Sequence, residues 1–593
     1  MILLHLNYYI ANVIIMSLMI RRKNMEIIII TAIVIALISI TIIQNIRNKK
    51  AIDHYIRHSY GSSERVKDDV LDRIEAVSLL YEHDKKNYSA SELVDDITWS
   101  DLDMEKIFLK ADHTDSFAGE QCIYSALHIL GDRDPNSLMN SKTADFFDKN
   151  EEKRNSVRKI LYGIGKPISA YYTVNTAEDT KSRALPCKYI YPVLLISLLT
   201  FAILGIAMKN PLFVILAIMN YLVNMVINIF LRTSYETKLE TLFSIGITIN
   251  AGFSISSIVP ELSENVKHSL KSLKKATSIL NLLNMRKSMM RSDDNFTMLM
   301  SYLTGPFMLD FILYNIGLSE LKNKTDDYLC VYRFVGEIDG SIAIASFRKS
   351  LSAYCVPEIS DEKHLSFTGL FHPLISDPVA NDFDSEKNII LTGSNASGKS
   401  TFIKSAAINL IMGQTLSTCT AESAKIPRCG VFTSMAVRDD LATGESYYIR
   451  EIKYLKRMTE CVKKGKLLFL AVDEILKGTN TRERIAASKA VMNYFEKENC
   501  IIMVATHDAE LAEAFDKVYE NYYFCEKLDE SDIVFDYKIH RGICRSSNAI
   551  KLLKVIGFSE DIVSKALEEL YKIRHSVTIQ SAFLLLLYFL TAS

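Results

Sequence analysis

The chain has 593 residues, which is more than one compact domain needs and indicates about three domains. Its 69 basic and 70 acidic residues nearly cancel, so it lacks the excess of Lys and Arg typical of a protein that coats nucleic acid. The ten cysteines fall singly, without a C-x-x-C pair or a nearby His at metal-ligand spacing. This pattern favours reduced thiols over disulfides or a zinc site.

Three apolar stretches are long enough to cross a bilayer. The first is residues 26–43, and the other two are Tyr189 to Ala207 and Pro211 to Leu231, which are separated by only three residues. We therefore predict an N-terminal span and a transmembrane hairpin. Residues 1–20 are also apolar, so the number of spans is three or four, depending on whether residues 1–24 belong to the working protein.

The charges beside these stretches predict the topology. Arg47, Lys49 and Lys50 directly follow the first span, and basic residues near a span favour the cytoplasmic side. One N-terminal span followed by a hairpin places everything else on that same side. We therefore predict a multi-pass protein of the cell membrane whose soluble parts face the cytoplasm.

The regions around the hairpin have a helical pattern. Ser91 to Lys166 is polar and mostly helical in pattern, and Ser244 to Asn323 contains further helical stretches. One helical face is formed by Val266, Leu270, Leu273, Leu280 and Leu283, and Lys271, Lys274 and Lys275 lie off it. This basic edge is compatible with contact to a phosphate backbone and equally with the solvated face of a packed helix.

A glycine-rich loop follows the apolar run Ile389 to Leu391, which predicts a short buried strand. The loop has the spacing Gly393-x4-Gly398-Lys399-Ser400, and residues Phe402 to Met412 after it carry apolar side chains at helical spacing. Strand, loop and helix in this order predict a phosphate-binding loop. The glycines let backbone N–H groups face phosphate oxygens, and the helix start adds partial positive charge. Lys399 is then expected to contact the β- and γ-phosphates, and the Ser400 hydroxyl to bind Mg²⁺.

Two further apolar runs predict buried parallel strands, Leu467 to Val472 and Cys500 to Ala505. The first ends in Asp473-Glu474, and we expect the end of this strand to lie beside the phosphate-binding loop. Asp473 would then hold Mg²⁺ through water, and Glu474 would orient the water that attacks the γ-phosphate. The second run ends in Thr506-His507, where His507 is placed to sense the γ-phosphate.

These segments resemble the MutS family of mismatch-repair ATPases, within the wider group of ABC-type ATPases. The resemblance rests on the loop TGSNASGKST, on Asp440–Ile452, on Asp473–Thr481, on Ala505–His507 and on Arg545–Ala566. It covers residues 361–576 and extends more weakly over residues 99–170 and 240–360.

The resemblance implies a set of site residues. Catalytic roles fall to Glu474, His507 and Ser446, and Ser446 is expected to reach the γ-phosphate bound to the partner subunit of a homodimer. The family's aromatic residue near the adenine is replaced by Val379, and Tyr523 is expected to stack on the base instead. Mg²⁺ would be held by Ser400 and Asp473. ATP would be bound by Gly393, Ser394, Asn395, Ala396, Ser397, Gly398, Lys399, Ser400 and Thr401.

The predicted fold is multidomain, with an α-helical core, transmembrane helices and a C-terminal α/β P-loop ATPase domain of the ABC type. The predicted segments are an N-terminal membrane region (1–45), a helical region (46–188), the hairpin (189–231), a lever-like helical region (232–360), the ATPase domain (361–576) and an unassigned apolar tail (577–593).

We predict a membrane-anchored, Mg²⁺-dependent ATPase that dimerises and couples ATP hydrolysis to DNA binding. Residues 1–98 are too few and too membrane-like to hold the family's mismatch-reading domain, so we expect DNA to be bound by shape and backbone. Two alternatives remain open, an ABC-like transporter and a structural protein in which ATP only locks a dimer. Three or four spans are few for a transport pathway, and the intact Asp473-Glu474 pair disfavours an inactive site.

Overall fold

The structure is a computed structural model that describes residues 46–63, 71–131, 134–288, 303–394, 397–435, 447–463, 465–528, 533–543 and 557–569, besides residues 39, 43 and 44. The chain divides into two compact units, Met1–Ser62 and Ser63–Ser593. In the first unit, residues 46–58 are helical. Apart from residues 39 and 43, the predicted N-terminal span over residues 26–43 lies outside the described residues.

The first part of the second unit is helical, in agreement with the predicted helical regions. Its helices are α1 (Ile74–Val77), α2 (Leu79–Asp84), α3 (Asp96–Asp101), α4 (Met104–Ala111), α5 (Phe117–His128), α6 (Ser141–Lys149), α7 (Glu151–Ile164), α8 (Thr173–Glu178), α9 (Thr180–Arg183), α10 (Ile190–Ala207), α11 (Pro211–Ile258), α12 (Lys267–Ser288), α13 (Leu309–Leu321) and α14 (Thr325–Ser350). Short polar side chains cap several of them: Asp95 accepts the Thr98 N–H at the start of α3, and Ser116 accepts the Gly119 N–H at the start of α5.

Helix α14 is the central element of this part, and a buried carboxylate fixes it against α5. The side chain of Asp339 accepts hydrogen bonds from the backbone N–H groups of Asp115 and Ser116 and from the Ser116 hydroxyl. A Cβ atom at Gly119 would come within 2.3 Å of Asp339 Oδ2, so glycine is required where the two helices approach. The predicted apolar face is confirmed, because all five of its residues are buried; Val266 directly precedes α12, and the other four lie on it.

Helices α10 and α11 form an antiparallel pair from the two apolar stretches predicted as a hairpin. Both are long and apolar enough to cross a membrane, and only 17% and 11% of their most apolar windows are buried. Helix α11 continues through the predicted boundary between residues 231 and 232, with a kink at Tyr235. The segment from Pro211 to Leu231 is therefore continuous with a helix that enters the helical part.

The C-terminal part is built from strands and helices in alternation, as predicted. Its strands are β1 (Glu358–Ser360), β2 (Leu365–Leu370), β3 (Asn381–Ser385), β4 (Ile389–Thr392), β5 (Ser423–Pro427), β6 (Gly430–Ser434), β7 (Leu468–Asp473), β8 (Cys500–Thr506), β9 (Glu520–Tyr523), β10 (Glu526–Leu528), β11 (Ile533–Phe535) and β12 (His540–Arg541). Its helices are α15 (Lys399–Leu416), α16 (Tyr447–Val462), α17 (Thr481–Glu496) and α18 (Ala509–Ala514).

The main sheet has six strands in the order β12-β9-β4-β8-β7-β6, parallel except for the edge strand β12. A second sheet has the order β1-β5-β2-β3, and β10 and β11 form an antiparallel pair. Strands β4 and β8 are buried along their whole length, since helices cover both faces of a parallel sheet. One hydrophobic core lies between this sheet and helices α16 and α17.

Polar contacts join the helical part to the α/β part. The Arg348 guanidinium at the end of α14 donates to the Ser417 carbonyl (2.7 Å) and the Thr418 hydroxyl (2.9 Å), just after α15. Asp101 accepts hydrogen bonds from Thr433 of β6 and from the Met435 N–H. The helical part is thus attached to the sheet and to the helix that follows the glycine-rich loop.

Candidate functional site

The predicted site residues lie at one edge of the main sheet, where β4, β8 and β7 end. The glycine-rich loop follows β4, His507 follows β8, and Asp473 is the last residue of β7. The Asp473 strand β7 does not adjoin the loop strand β4, because β8 lies between them. Since parallel strands end at the same edge, the three groups still meet.

Both loop glycines adopt conformations that other residues rarely take. Gly393 has φ +143° and Gly398 has φ +108°. A Cβ atom at Gly393 would lie 2.5 Å from the Phe524 carbonyl oxygen, so the loop approaches the chain after β9 too closely for any side chain. Asn395 and Ala396, also predicted to bind ATP, lie outside the described residues.

Lys399 is the first residue of α15 and is only 5% exposed. Its ammonium group donates to the carbonyl oxygens of Gly393 (2.7 Å) and Ser394 (2.6 Å), at the mouth of the loop. Ser397 also lies in the loop, and its hydroxyl donates to the Ser394 carbonyl at 2.8 Å. The loop therefore holds a cation next to the N-terminus of an 18-residue helix, which is an arrangement suited to an anion.

Ser400 and Asp473 are brought together as the sequence predicted. The Ser400 hydroxyl donates to Asp473 Oδ2 at 2.6 Å. Burial raises the pKa of Asp473, the Ser400 hydrogen bond opposes this shift, and the adjacent charge of Glu474 adds to it. A hydroxyl and a carboxylate at this distance are the hard oxygen ligands that Mg²⁺ prefers, so these residues fit that ion.

Glu474 and His507 form the second contact. Glu474 has the left-handed conformation (φ 65°), which turns its side chain towards the end of β8. His507 Nδ1 donates to Glu474 Oε1 at 2.9 Å, while Glu474 Oε2 lies 3.3 Å from the Lys477 ammonium. Burial raises the pKa of Glu474, but the hydrogen bond and charge of His507, together with Lys477, outweigh it and lower the pKa overall. Glu474 is therefore ionised at neutral pH.

His507 is held on its other side by Arg484. The Arg484 guanidinium binds both carboxylate oxygens of Asp508 and donates to His507 Nε2 at 3.4 Å. Nε2 thus accepts a hydrogen bond and Nδ1 carries the proton, which is the tautomer that lets His507 donate to Glu474. Arg484 lies on α17, and its part in the site was not predicted from the sequence.

A cavity of about 300 Å³ opens beside Gly398 and Thr401. Tyr523 does not line it; its ring packs against His540, with 5.2 Å between the ring centroids. Tyr537 does line it, and a Cβ atom at Gly398 would be 3.3 Å from the Tyr537 ring. The lining residues are Leu370, Phe371, His372, Ile375, Asp377, Pro378, Val379, Asn381, Gly398, Thr401, Phe402, Ser405, Phe524 and Tyr537.

Two further residues of this cavity were missed by sequence reasoning. Asn381 donates to the Tyr537 carbonyl (3.0 Å) and accepts the Ile539 N–H (2.8 Å), so it anchors the segment that presents the Tyr537 ring. Burial and the charge of Lys404 lower the pKa of His372 to about 4, so His372 is neutral at physiological pH. The sequence signal for Asn381 was weak, because Asn381 and Tyr537 lie more than 150 positions apart.

Ser446 is the one predicted catalytic residue that cannot be placed, since residues 436–446 lie outside the described residues. The helix α16 begins at the next position, Tyr447. Glu451 on this helix accepts the N–H groups of Lys477 and Gly478, at 3.1 and 3.2 Å. The segment that carries Ser446 therefore leads into a helix fixed to the turn after Glu474.

Comparison with known proteins identifies this part of the chain. The family profile of MutS domain V matches residues 389–574, which include the glycine-rich loop, Asp473, Glu474 and His507. Through this region the chain belongs to the MutS family.

Three curated relatives of the MutS family are each named DNA mismatch repair protein MutS. The protein of Clostridium kluyveri is 30% identical over 267 residues, that of Thermosipho melanesiensis 32% over 268, and that of Thermotoga maritima 28% over 260. Each alignment covers 42% of this chain. The chain spans about a third of the length of these relatives, between 30% and 32%.

Proposed function

We propose that the chain is a Mg²⁺-dependent ATPase. The observation that carries this proposal is the pairing of two contacts at one sheet edge, Ser400 with Asp473 and Glu474 with His507. The first provides oxygen ligands for a cation, and the second provides an ionised carboxylate with a proton-carrying partner. Both lie beside the loop that holds Lys399.

Each residue has a separate task in this reaction. Lys399 leaves the loop carbonyls to bind the β- and γ-phosphates, together with the backbone N–H groups of the loop. Mg²⁺, when bound, neutralises charge on the phosphate oxygens. Glu474 orients the attacking water and accepts its proton, and its lowered pKa keeps it ready as a base. His507 is expected to respond to the γ-phosphate through its contact with Glu474.

The test is the Glu474→Gln variant of the full-length chain. The amide keeps the shape of the side chain and loses the base, so we expect ATP binding to persist while turnover falls by roughly 100-fold or more. Glu510→Gln is the matched control, since Glu510 is an exposed carboxylate three residues after His507. Turnover of Glu474→Gln at the wild-type rate would refute the role of this carboxylate. Lys399→Ala should abolish ATP binding, and unchanged affinity by calorimetry would refute the loop assignment.

We also propose that the site is completed by a second copy of the chain, through Ser446. Ser446→Ala should then bind ATP without turnover. Mixing it with the Lys399→Ala protein creates heterodimers in which one site carries both defects and the other carries neither. Recovery of activity in the mixture supports shared sites, whereas additive loss without recovery indicates a self-contained monomer site.

We further propose that the partner is DNA, because the relatives are named as DNA mismatch repair proteins. Stimulation of ATP turnover by duplex DNA, measured on the purified full-length chain, is the expected result. Stimulation by a small solute instead of DNA would favour the ABC-like transporter.

Membrane anchoring by α10 and α11 is the last part of the proposal. Their outward side chains are large and apolar, for example Ile206 at 79%, Phe230 at 70% and Val226 at 68% exposure. Soluble proteins rarely expose apolar surface of this extent, whereas lipid covers it. Lys209, in the turn between the helices, is exposed and is predicted to lie outside the cell.

Cysteine labelling tests this topology with the natural chain as its control. All ten cysteines are predicted to be cytoplasmic, so a membrane-impermeant maleimide should not label the wild-type protein in intact cells. The Lys209→Cys variant should be labelled there. If Lys209→Cys is labelled only after the cells are permeabilised, the hairpin does not cross the membrane.

A further inference from the structure

Three side chains with metal-ligand chemistry meet near Phe524 and Tyr537, two of the residues that line the cavity beside Gly398. The Cys525 thiol, the Asp536 carboxylate and the His540 imidazole each offer one ligand atom, and these atoms lie within 4.8 Å of one another. All three residues are half-buried. No other group of three or more such residues comes this close within the described part of the chain. The proposed ATP chemistry uses none of them.

The backbone builds this cluster through an edge of the main sheet. Strand β12 pairs antiparallel with β9, and His540 lies opposite Tyr523. Cys525 follows Tyr523 by two residues, so in extended chain it lies on the same face as Tyr523 and His540. Cys525 and His540 are therefore diagonal neighbours across the pair, and their ligand atoms lie within 4.8 Å of each other.

Asp536 is already oriented as a ligand would be. Its Oδ1 atom accepts the Lys538 backbone N–H at 3.0 Å, and Oδ2 lies 3.4 Å from His540 Nε2. Carboxylates that bind metals are commonly fixed by a second hydrogen bond of this kind. Asp536 Oδ2 and His540 Nε2 thus lie next to each other, while Oδ1 holds the carboxylate in place.

We propose that Cys525, Asp536 and His540 form a zinc site with three protein ligands and a fourth position for water or another ligand. Thiolate and imidazole ligands select zinc over Mg²⁺ or Ca²⁺. One thiolate and one carboxylate also balance the charge of a divalent ion. Tetrahedral zinc with bonds of about 2.0–2.3 Å places its ligand atoms about 3.5 Å apart. Asp536 Oδ2 and His540 Nε2 already have this spacing, at 3.4 Å, and every other pair of ligand atoms lies within 4.8 Å, so zinc would require only a small approach of the Cys525 thiol.

The site would fix the segment that carries Tyr537. Tyr537 lies between the ligands Asp536 and His540, and Asn381 already holds its carbonyl from the other side. A metal bound to Cys525, Asp536 and His540 would attach this segment to the chain that follows β9, in addition to its attachment through Asn381. The Tyr537 ring would then be held against the cavity beside Gly398. The zinc site itself does not depend on the proposed function; only the effect of a fixed Tyr537 ring on nucleotide affinity rests on it.

Cobalt titration of the full-length chain tests the site without any nucleotide. After treatment with a chelator under a thiol-free reductant, Co²⁺ should give thiolate-to-cobalt charge-transfer absorption that saturates at one equivalent, and Zn²⁺ should displace it. Cys525→Ser and His540→Ala should each weaken zinc binding by roughly tenfold or more. Two controls should leave the titration unchanged. Cys187→Ser removes an exposed cysteine elsewhere, and His364→Ala removes a histidine that also pairs with a carboxylate, Asp384.

The outcomes separate the zinc site from the proposed ATPase. Absence of charge-transfer absorption, or its persistence in Cys525→Ser, overturns the site. Zinc should also raise the affinity of the wild-type chain for a fluorescent ATP analogue and leave that of Cys525→Ser unchanged. Equal affinity with and without zinc overturns the effect on Tyr537. A chain that binds cobalt and no nucleotide would instead refute the proposed function and leave the zinc site standing.

Discussion

Tyr537 offers a sharp test of how the cavity binds its ligand. The cavity opens beside Gly398 and Thr401 of the phosphate-binding loop, so a base attached to phosphates in that loop would enter it. Tyr537 lines the cavity with an aromatic ring, whereas Val379, the position of the family's aromatic residue, offers only an aliphatic side chain. We therefore expect Tyr537 to stack on the base.

The expected magnitude follows from the exposure of the ring. Stacking of a base on an aromatic side chain contributes about 1–3 kcal/mol by alanine substitution. The ring of Tyr537 remains 44% exposed, so it belongs in the lower part of that range. A loss of about 1–2 kcal/mol corresponds to about 5- to 30-fold weaker binding of ATP in Tyr537→Ala.

Calorimetry with three variants provides the assay. Tyr537→Phe should bind ATP about as the wild type does, because the ring is retained. Tyr523→Ala is the matched control, since its ring packs on His540 and does not line the cavity. Inorganic tripolyphosphate, which lacks a base, should bind equally to wild type and Tyr537→Ala. If Tyr523→Ala loses more affinity for ATP than Tyr537→Ala, the assignment of the cavity to the base is refuted.

Three further predictions concern the loop, a buried histidine and DNA. Gly393→Ala should lower the free energy of unfolding by about 2 kcal/mol or more, because Gly393 has a positive φ and lies too close to the Phe524 carbonyl for a Cβ atom. Gly163 has open space around it, so Gly163→Ala should be neutral or stabilising in the same thermal-melt experiment. Burial lowers the pKa of His128 from 6.5 to about 4, so the free energy of unfolding should decrease as the pH falls from 6.5 to 4. The ring of Trp99, the single tryptophan, stacks on His128 with 3.6 Å between the ring centroids. Tryptophan emission should therefore titrate near pH 4 in the wild type and stay flat in His128→Gln. DNA binding should fall steeply with salt and differ little between matched and G·T duplexes, and a mismatch preference of about tenfold or more, near 1.4 kcal/mol, would contradict this expectation.

Local sequence patterns were sufficient for most elements of the site. The apolar runs before Gly393, Asp473 and His507 each formed a buried strand, because a strand covered on both faces must be apolar throughout. The glycine spacing predicted the two positive-φ positions of the loop, since only glycine takes them without strain. The apolar periodicity of α12 likewise identified its buried face.

Only the tertiary structure decided the order of the strands in the sheet and which distant residues meet at the site. The order of strands depends on crossovers that no local pattern encodes, and for that reason β8, and not β7, lies beside β4. The same applies to the aromatic residue of the cavity, because Tyr537 reaches Gly398 only after the chain has returned along β9 and turned. The limit of prediction from sequence is clearest for the three ligands of the proposed zinc site, Cys525, Asp536 and His540. Their spacing matches no metal-binding pattern, so sequence analysis favoured reduced thiols over zinc, and only the antiparallel pairing of β9 with β12 places the three ligand atoms together.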